Sequence, residues 1–287
     1  MRLSPRRQQN QWLRYRDFGE GLAEPLLLRS GMVEMVRMGQ GDPIVLVPGL
    51  AGGWRLLAPL ARRLATRHEV ILYSLKGDRS LMVGPGPESL SEYAHDLAEL
   101  IQALRLERPT VLGVSFGGAI ALELAVRYPN LVGALAVQGA EARFRSSLGS
   151  MIARRVLERF PLPSDNGFVN QFFNVLHGCR PEPGRLPEFV VERCWETDQS
   201  VMASRLRALE QYDVSAHLSE ISAPTLVLAG TRDVVVPPSR QQDLAEAIPH
   251  GRFTSVEGAG HIAFLTHGAE VAREVRRLLK DRARSFV

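Results

Sequence analysis

Apolar residues along this chain follow two alternating patterns. Short, continuously apolar runs rich in β-branched residues predict strands that are buried on both faces, at 44–47, 69–75, 110–114, 131–137, 225–229 and 252–256. Apolar residues at helical spacing predict helices at 56–67, 90–104, 116–128, 240–247 and 264–281. Two apolar pieces, at 26–28 and 32–38, suit a β-hairpin. Buried strands that alternate with helices indicate an α/β fold, with a mostly parallel sheet covered by helices on both faces.

The alternation is interrupted between 141 and 213. This segment is rich in proline and holds six of the eleven phenylalanines, namely Phe144, Phe160, Phe168, Phe172, Phe173 and Phe189. Parallel sheets of this kind react at the carboxyl ends of their strands, so an insertion here is placed to cover the reactive edge as a lid. We therefore expect an N-terminal arm at 1–24, a core formed by 25–140 and 214–287, and a helical lid at 141–213.

The sequence Gly113-Val114-Ser115-Phe116-Gly117 joins a predicted strand directly to a predicted helix. So tight a turn needs small residues beside it, because the backbones of the strand and the helix approach closely. The turn would raise the Ser115 hydroxyl above the sheet and aim the N-terminus of the helix at it. We interpret Ser115 as a nucleophile.

A serine hydroxyl is a poor nucleophile without a base, and the base needs an acid that orients it. Asp233 and His261 each follow one of the last two predicted strands, on the same sheet edge as Ser115. The chain order of serine, acid and histidine is the order described for this type of turn. Glu141, just past the fourth buried strand, is the alternative acid.

A glycine-rich turn, Pro48-Gly49-Leu50-Ala51-Gly52-Gly53, follows the first buried strand. Backbone N–H groups in such a turn can bind the negative oxygen that develops when a carbonyl group is attacked. We expect the N–H groups of Leu50 and Phe116 to form this oxyanion hole. A phosphate-binding loop is excluded, because no Gly-Lys-Ser/Thr follows the glycines.

Ser115, Asp233 and His261, together with the Pro48-Gly49-Leu50 turn, resemble the α/β-hydrolase superfamily, in the branch that carries a helical lid. The resemblance covers about 25–283 of the chain. It implies an eight-stranded sheet in which the hairpin supplies the first two strands and the lid lies between the sixth and seventh strands.

Two loops are also similar to loops of this family. Leu75-Lys76-Gly77-Asp78-Arg79-Ser80 looks like the loop after its fourth strand, and Gly230-Thr231-Arg232-Asp233 looks like its acid loop. Pro48 departs from the pattern, because many members have a histidine there whose side chain could brace the turn. Members that dehalogenate alkanes or open epoxides use an aspartate nucleophile, so Ser115 argues against both activities.

Composition and charge are those of an ordinary globular protein, with 45% hydrophobic and 23% charged residues. The net charge of +4 is small and spread out, so we expect no nucleic-acid partner. No signal peptide and no run apolar enough to cross a bilayer is recognised, so we expect a cytoplasmic location, no stable membrane insertion and reduced thiols. A disulfide between Cys179 and Cys194 is the alternative state of the two cysteines.

The expected activity is hydrolysis of a small or medium, apolar carboxylic ester through an acyl-enzyme on Ser115. The expected partner is a small-molecule acyl substrate, and no metal or organic cofactor is implied; the oligomeric state is left open. A thioesterase, lactonase, C–C hydrolase, acyltransferase or perhydrolase would use the same residues. A ligand-binding receptor with little turnover is the alternative of another class. The phenylalanines of the insertion suit either an apolar pocket or aromatic packing.

Overall fold

The computed structural model of this chain describes residues 23–78, 86–146, 148–159, 167–178 and 185–284. The strands are β1 (Glu24–Leu28), β2 (Gly31–Met38), β3 (Pro43–Val47), β4 (Glu69–Tyr73), β5 (Thr110–Val114), β6 (Ala134–Gln138), β7 (Thr225–Gly230) and β8 (Gly251–Val256). The helices are α1 (Ala58–Leu64), α2 (Leu90–Ala103), α3 (Phe116–Arg127), α4 (Leu148–Arg159), α5 (Gly167–Val175), α6 (Arg185–Cys194), α7 (Gln199–Glu210), α8 (Pro238–Ala247), α9 (Ala263–Thr266) and α10 (Gly268–Arg284). None of the helices in these ranges is long and apolar enough to cross a membrane.

The eight strands form one sheet in the order β1-β2-β4-β3-β5-β6-β7-β8. β2 pairs antiparallel with β1 and β4, and the remaining neighbours are parallel. The predicted eight-stranded, mostly parallel sheet is therefore confirmed. Its parallel strands place the turns after β3, β5, β7 and β8 at one edge.

Each central strand sends its side chains into two separate cores. On β3, Val45 and Val47 pack in a core that contains residues of α2, α3 and α8. Ile44 and Leu46 point to the other face, where they pack with residues of α1 and α10. All four side chains are fully buried. A strand covered by helices on both faces must be apolar at every position, which explains the continuous runs in the sequence.

Several predicted bounds differ from those in the structure. The predicted helix at 56–67 begins as a 3-10 turn, Trp54–Leu57, and the predicted strand at 131–137 starts later because a 3-10 turn takes Pro129–Leu131. The single helix predicted at 264–281 is wrong: the chain leaves helical dihedrals at His267, with φ −122° and ψ 33°, and α10 begins after it. Glu24, assigned to the N-terminal arm, is the first residue of β1. Residues 1–22 of that arm lie outside the described ranges.

Helices α4 to α7 lie between β6 and β7, in the segment 141–213, which we call the helical insertion. Phe173 is buried there and meets the ring of Trp195 edge-to-face, with centroids 5.9 Å apart. This ring therefore takes part in aromatic packing. Cys194 is a free, buried thiol. The alternative disulfide involves Cys179, which lies outside the described residues, as do Phe160 and the end of the 75–80 loop.

Candidate active site

Ser115 occupies the turn between β5 and α3 with φ +51° and ψ −117°. A non-glycine residue adopts this conformation only when the surrounding structure enforces it. The conformation is enforced by segments of backbone that lie close to the turn. A Cβ on Gly113 would overlap the carbonyl group of Gly117. A Cβ on Gly117 would overlap the carbonyl oxygens of Val47 and Pro48. Ser115 remains partly exposed, so its hydroxyl can be reached from outside.

Ser115, His261 and Asp233 lie in one hydrogen-bonded chain. Ser115 Oγ is 2.9 Å from His261 Nε2. His261 Nδ1 is 2.9 Å from Asp233 Oδ2 and 3.1 Å from Asp233 Oδ1. Because an ionised carboxylate only accepts hydrogen bonds, we assign the imidazole proton to Nδ1, which leaves Nε2 free to accept the serine proton. The structure thus brings together the three residues that the sequence singled out.

The Asp233 carboxylate is completely buried and accepts hydrogen bonds on both oxygens. Its Oδ1 accepts from the backbone N–H groups of Val235 and Val236, each at 2.9 Å. Its Oδ2 accepts from Gln241 Nε2 at 3.2 Å. These donors fix the orientation of the carboxylate beside His261.

Gln241 was missed by the sequence analysis. It is buried on α8, on the same helix face as the apolar Leu244 and Ala245. Its Nε2 also donates to the Val236 carbonyl at 2.8 Å, and its Oε1 accepts from Gly139 N at 2.9 Å. All polar groups of this amide are therefore engaged, which fixes its orientation. A glutamine on an otherwise apolar helix face was the signal available in the sequence.

His261 is held from the end of β6. Gln138 Nε2 donates to the His261 carbonyl at 2.8 Å, and Gln138 Oε1 accepts from Phe264 N at 3.4 Å. The next residue, Gly139, has φ +67°, and a Cβ there would lie 2.8 Å from His261 Cε1. Gly139 therefore leaves the space that the imidazole occupies, and neither of these positions was singled out from the sequence.

Glu141, the alternative acid, is bound elsewhere. Its Oε2 accepts from Arg240 Nη1 at 3.2 Å, so the carboxylate is engaged at the start of α8. Asp233 is the residue in contact with His261. The geometry thus favours Asp233 over Glu141 as the orienting acid.

The helical insertion packs against the loop that carries His261. Ile262 N donates to the Leu176 carbonyl at 3.2 Å. A Cβ on Gly260 would overlap the backbone of His177, so the two segments touch without a side chain between them. Burial lowers the pKa of His177, which keeps this imidazole neutral near pH 7.

The turn after β3 lies beside the nucleophile. A Cβ on Gly49 would be 3.8 Å from Ser115 Cβ, which is ordinary contact. Within the described ranges, the N–H groups of Leu50 and Phe116 donate to no protein acceptor. Both donors are therefore available to a ligand. The Leu50 carbonyl accepts from Arg205 at 2.8 Å, a residue that the sequence analysis missed.

Known proteins share this architecture. The chain matches the family described as alpha/beta hydrolase fold over residues 42–268. It is 30% identical over 254 residues to a pimeloyl-[acyl-carrier protein] methyl ester esterase of Xanthomonas campestris, a match that covers 84% of this chain and 96% of that protein. It is 29% identical over 275 residues to the polyketide synthase ThaQ of Burkholderia thailandensis; this match covers 93% of the chain but only 13% of that much longer protein.

A solved structure gives the same result. The thermophilic esterase of Thermogutta terrifontis, with malate bound, superposes with a TM-score of 0.79 at 25% identity, covering 91% of this chain and 98% of the esterase. The resemblance to the α/β-hydrolase superfamily that was inferred from the sequence is confirmed. This chain belongs to the alpha/beta hydrolase fold family.

Proposed function

We propose that the chain is a serine hydrolase that cleaves a carboxylic ester through an acyl-enzyme on Ser115. The observation that supports this most strongly is the hydrogen-bonded chain from Ser115 Oγ through His261 to Asp233, with 2.9 Å at each of its two links. The esterase relatives support an ester as the bond that is cleaved. The substrate that we propose is a small or medium, apolar ester.

In the first half of the reaction, Ser115 Oγ attacks the carbonyl carbon while His261 Nε2 accepts the hydroxyl proton. The carbonyl oxygen becomes an oxyanion, which the N–H groups of Leu50 and Phe116 bind. Asp233 stays ionised and stabilises the imidazolium. When the tetrahedral intermediate collapses, the bond to the alcohol oxygen breaks and His261 donates its proton to the departing alcohol.

In the second half, water attacks the acyl group on Ser115 and His261 accepts a proton from it. The acid leaves when the bond to Ser115 Oγ breaks, and His261 returns the proton to the serine. Every proton therefore moves between these two residues, the alcohol and water, and the cycle balances without a cofactor.

We propose that the helical insertion acts as a lid over this site. Two contacts support that role: Thr197 Oγ1 accepts from Gly52 N at 3.2 Å beside the oxyanion turn, and Leu176 accepts from Ile262 N at 3.2 Å beside the histidine loop. The insertion thus borders the site on two sides. Its shape would then select the ester that is accepted.

A fluorophosphonate, which phosphonylates activated serines, tests the nucleophile. We expect one label per wild-type chain on Ser115, none on Ser115→Ala, and labelling slowed by at least about 10³-fold in His261→Ala. His217→Ala is the matched control, because His217 Nδ1 is 2.9 Å from a carboxylate oxygen of Glu220 in an exposed pair. Its labelling should match that of the wild type.

Stoichiometric labelling that survives Ser115→Ala would disprove the assignment. Turnover of para-nitrophenyl esters of increasing acyl length, beside matched thioesters and lactones, then tests the bond. A folded wild-type protein that labels on Ser115 but hydrolyses none of these compounds would favour a receptor over an esterase.

A further inference from the structure

One arginine of the helical insertion is completely buried. Arg205 lies on α7, and its side chain is 0% exposed. A buried charge is strongly destabilising unless acceptors surround it. The groups that Arg205 contacts therefore indicate what this side chain holds in place.

The Arg205 guanidinium binds three acceptors on two loops of the core, and its Nε also donates to the Tyr93 hydroxyl on α2 at 3.5 Å. Its Nη1 donates to the Leu50 carbonyl oxygen at 2.8 Å. Its Nη2 donates to the Lys76 carbonyl at 3.1 Å and pairs with Asp78 Oδ1 at 3.0 Å. The planar fork of an arginine can serve separate acceptors at once, whereas the compact ammonium of a lysine cannot replace that geometry.

A second side chain of the insertion binds the same turn. Thr197 Oγ1 accepts from Gly52 N at 3.2 Å and donates to Asp78 Oδ1 at 3.2 Å. Asp78 is thus shared between Thr197 and Arg205. The turn that follows β3 is tied to the insertion at two points, although Pro48 within it has no polar side chain of its own.

Arg205 also packs against the residue that carries the second proposed donor. Its Cζ lies 5.9 Å from the ring centroid of Phe116 and 5.9 Å from that of Tyr93. These two rings meet edge-to-face with centroids 5.1 Å apart. One guanidinium therefore touches both residues whose N–H groups we propose as the oxyanion donors.

We propose that Arg205 is a positioning residue that holds the Leu50 N–H in the orientation needed to bind the oxyanion. Because Gly49 has no side chain, the peptide between Gly49 and Leu50 can rotate unless the chain is held at Leu50. Because Arg205 has no exposed surface, it acts through Leu50 rather than on the substrate. The proposal rests on the proposed function, since an oxyanion forms only when an acyl carbonyl is attacked.

Arg205 holds the turn after β3 in place, a role that a polar side chain at position 48 could otherwise have. It also makes the oxyanion hole depend on the helical insertion, because α7 carries the guanidinium. An insertion that moved away from the core would take the support of Leu50 with it. The insertion would then control the chemical step as well as access to the site.

Two substitutions release the turn without removing a charge. Arg205→Lys keeps a cation for Asp78 and gives up the separate bond to the Leu50 carbonyl. Thr197→Val keeps the shape of the side chain and removes the acceptor for Gly52 N. Both variants should fold, because neither leaves the Asp78 carboxylate without its cation.

Arg154→Met is the matched control. Arg154 belongs to α4 and pairs with Glu210 of α7 at 3.0 Å and with Glu158 at 2.8 Å. Its substitution removes an ion pair from the helix that carries Arg205, and the described partners of Arg154 lie in α4 and α7 rather than in the oxyanion turn. Arg154→Met therefore shows how a general loss of stability in the helical insertion affects activity.

The measurements are kcat and KM for para-nitrophenyl butyrate and the inhibition constant of a trifluoromethyl ketone, which forms a tetrahedral oxyanion on the serine. For Arg205→Lys we expect kcat to fall by about tenfold to hundredfold with KM within about twofold, because the contact acts in the transition state alone. The ketone should bind more weakly by a similar factor. Thr197→Val should lower kcat by about three- to tenfold with a similarly small change in KM. Arg154→Met should match the wild type.

A folded Arg205→Lys protein with wild-type kcat and ketone affinity would overturn the positioning role. The proposed function would still hold in that case if the wild-type protein turns over the ester and is labelled on Ser115. An equal loss in Arg154→Met would overturn the positioning role as well, because the effect would then be a general one. If Arg205→Lys does not fold, Thr197→Val decides by the same criterion. A wild-type protein with neither turnover nor labelling overturns both proposals.

Discussion

Asp233→Asn changes one atom of the proposed acid and should remove most of the activity. Asp233 Oδ1 accepts two backbone N–H groups, those of Val235 and Val236. An asparagine must keep its carbonyl oxygen there, because an NH2 group would face two donors. The NH2 group then takes the Oδ2 position, 2.9 Å from His261 Nδ1 and 3.2 Å from Gln241 Nε2.

The imidazole avoids a contact between two donors by carrying its proton on Nε2. In that tautomer His261 donates towards Ser115 and cannot accept the serine proton. The same exchange in a comparable catalytic triad lowers kcat by about 10⁴-fold. That factor corresponds to roughly 5–6 kcal/mol of lost transition-state stabilisation. The Gln241 NH2 group would then face another NH2 group and lose an acceptor. This loss should lower the free energy of unfolding by about 1–3 kcal/mol.

The assay is steady-state hydrolysis of a short para-nitrophenyl ester, with urea unfolding to establish that the variant is folded. Asp243→Asn serves as the control, because Asp243 is an exposed aspartate on α8. We expect kcat of Asp233→Asn to fall by about 10⁴-fold and that of Asp243→Asn to stay unchanged. Activity of Asp233→Asn within about tenfold of the wild type would refute the tautomer argument.

Gly139, Cys194 and His177 allow three further predictions. A Cβ at Gly139 would lie 2.8 Å from His261 Cε1, so Gly139→Ala should displace the imidazole and lower kcat by about tenfold to hundredfold in steady-state kinetics; an unchanged kcat would contradict this. Burial raises the pKa of Cys194 to about 12, so iodoacetamide at pH 8 should modify it in denaturant and spare it in the folded protein, as peptide mass spectrometry would detect. Burial lowers the pKa of His177 in the folded protein. Its contribution to stability is therefore present above about pH 6.5, the ordinary pKa of histidine, and is lost as the pH falls through the lowered pKa of the folded state. Urea unfolding at pH 7 and pH 5 should therefore show a weaker pH dependence in His177→Phe than in the wild type.

The sheet and the positions of the three central residues could be predicted from local sequence signals. A strand covered on both faces is apolar throughout, so β3 and β5 stand out as runs. The turn at Ser115 is marked by its flanking glycines, which close backbone approach requires. Asp233 and His261 follow strands whose carboxyl ends share an edge, so their meeting with Ser115 follows from the parallel topology.

The supporting residues could not be predicted in this way. Gln241 meets Gly139 across 102 positions of the chain, and Arg205 meets Leu50 across 155. A polar side chain on a helix is usually solvated, and only the folded structure shows which ones are buried against a distant loop. The break at His267 was missed for a related reason: apolar residues on both sides continue the helical pattern across it.

The most direct test of the proposed mechanism is to detect the acyl group on the enzyme during turnover. Wild-type protein would be mixed with para-nitrophenyl acetate, quenched in acid within milliseconds, digested and examined by mass spectrometry. We expect an acetyl group on the peptide that contains Ser115, together with a burst of nitrophenol, and neither in Ser115→Ala. Ester hydrolysis that proceeds with the acetyl group on another residue, or at an undiminished rate in Ser115→Ala, would contradict the account.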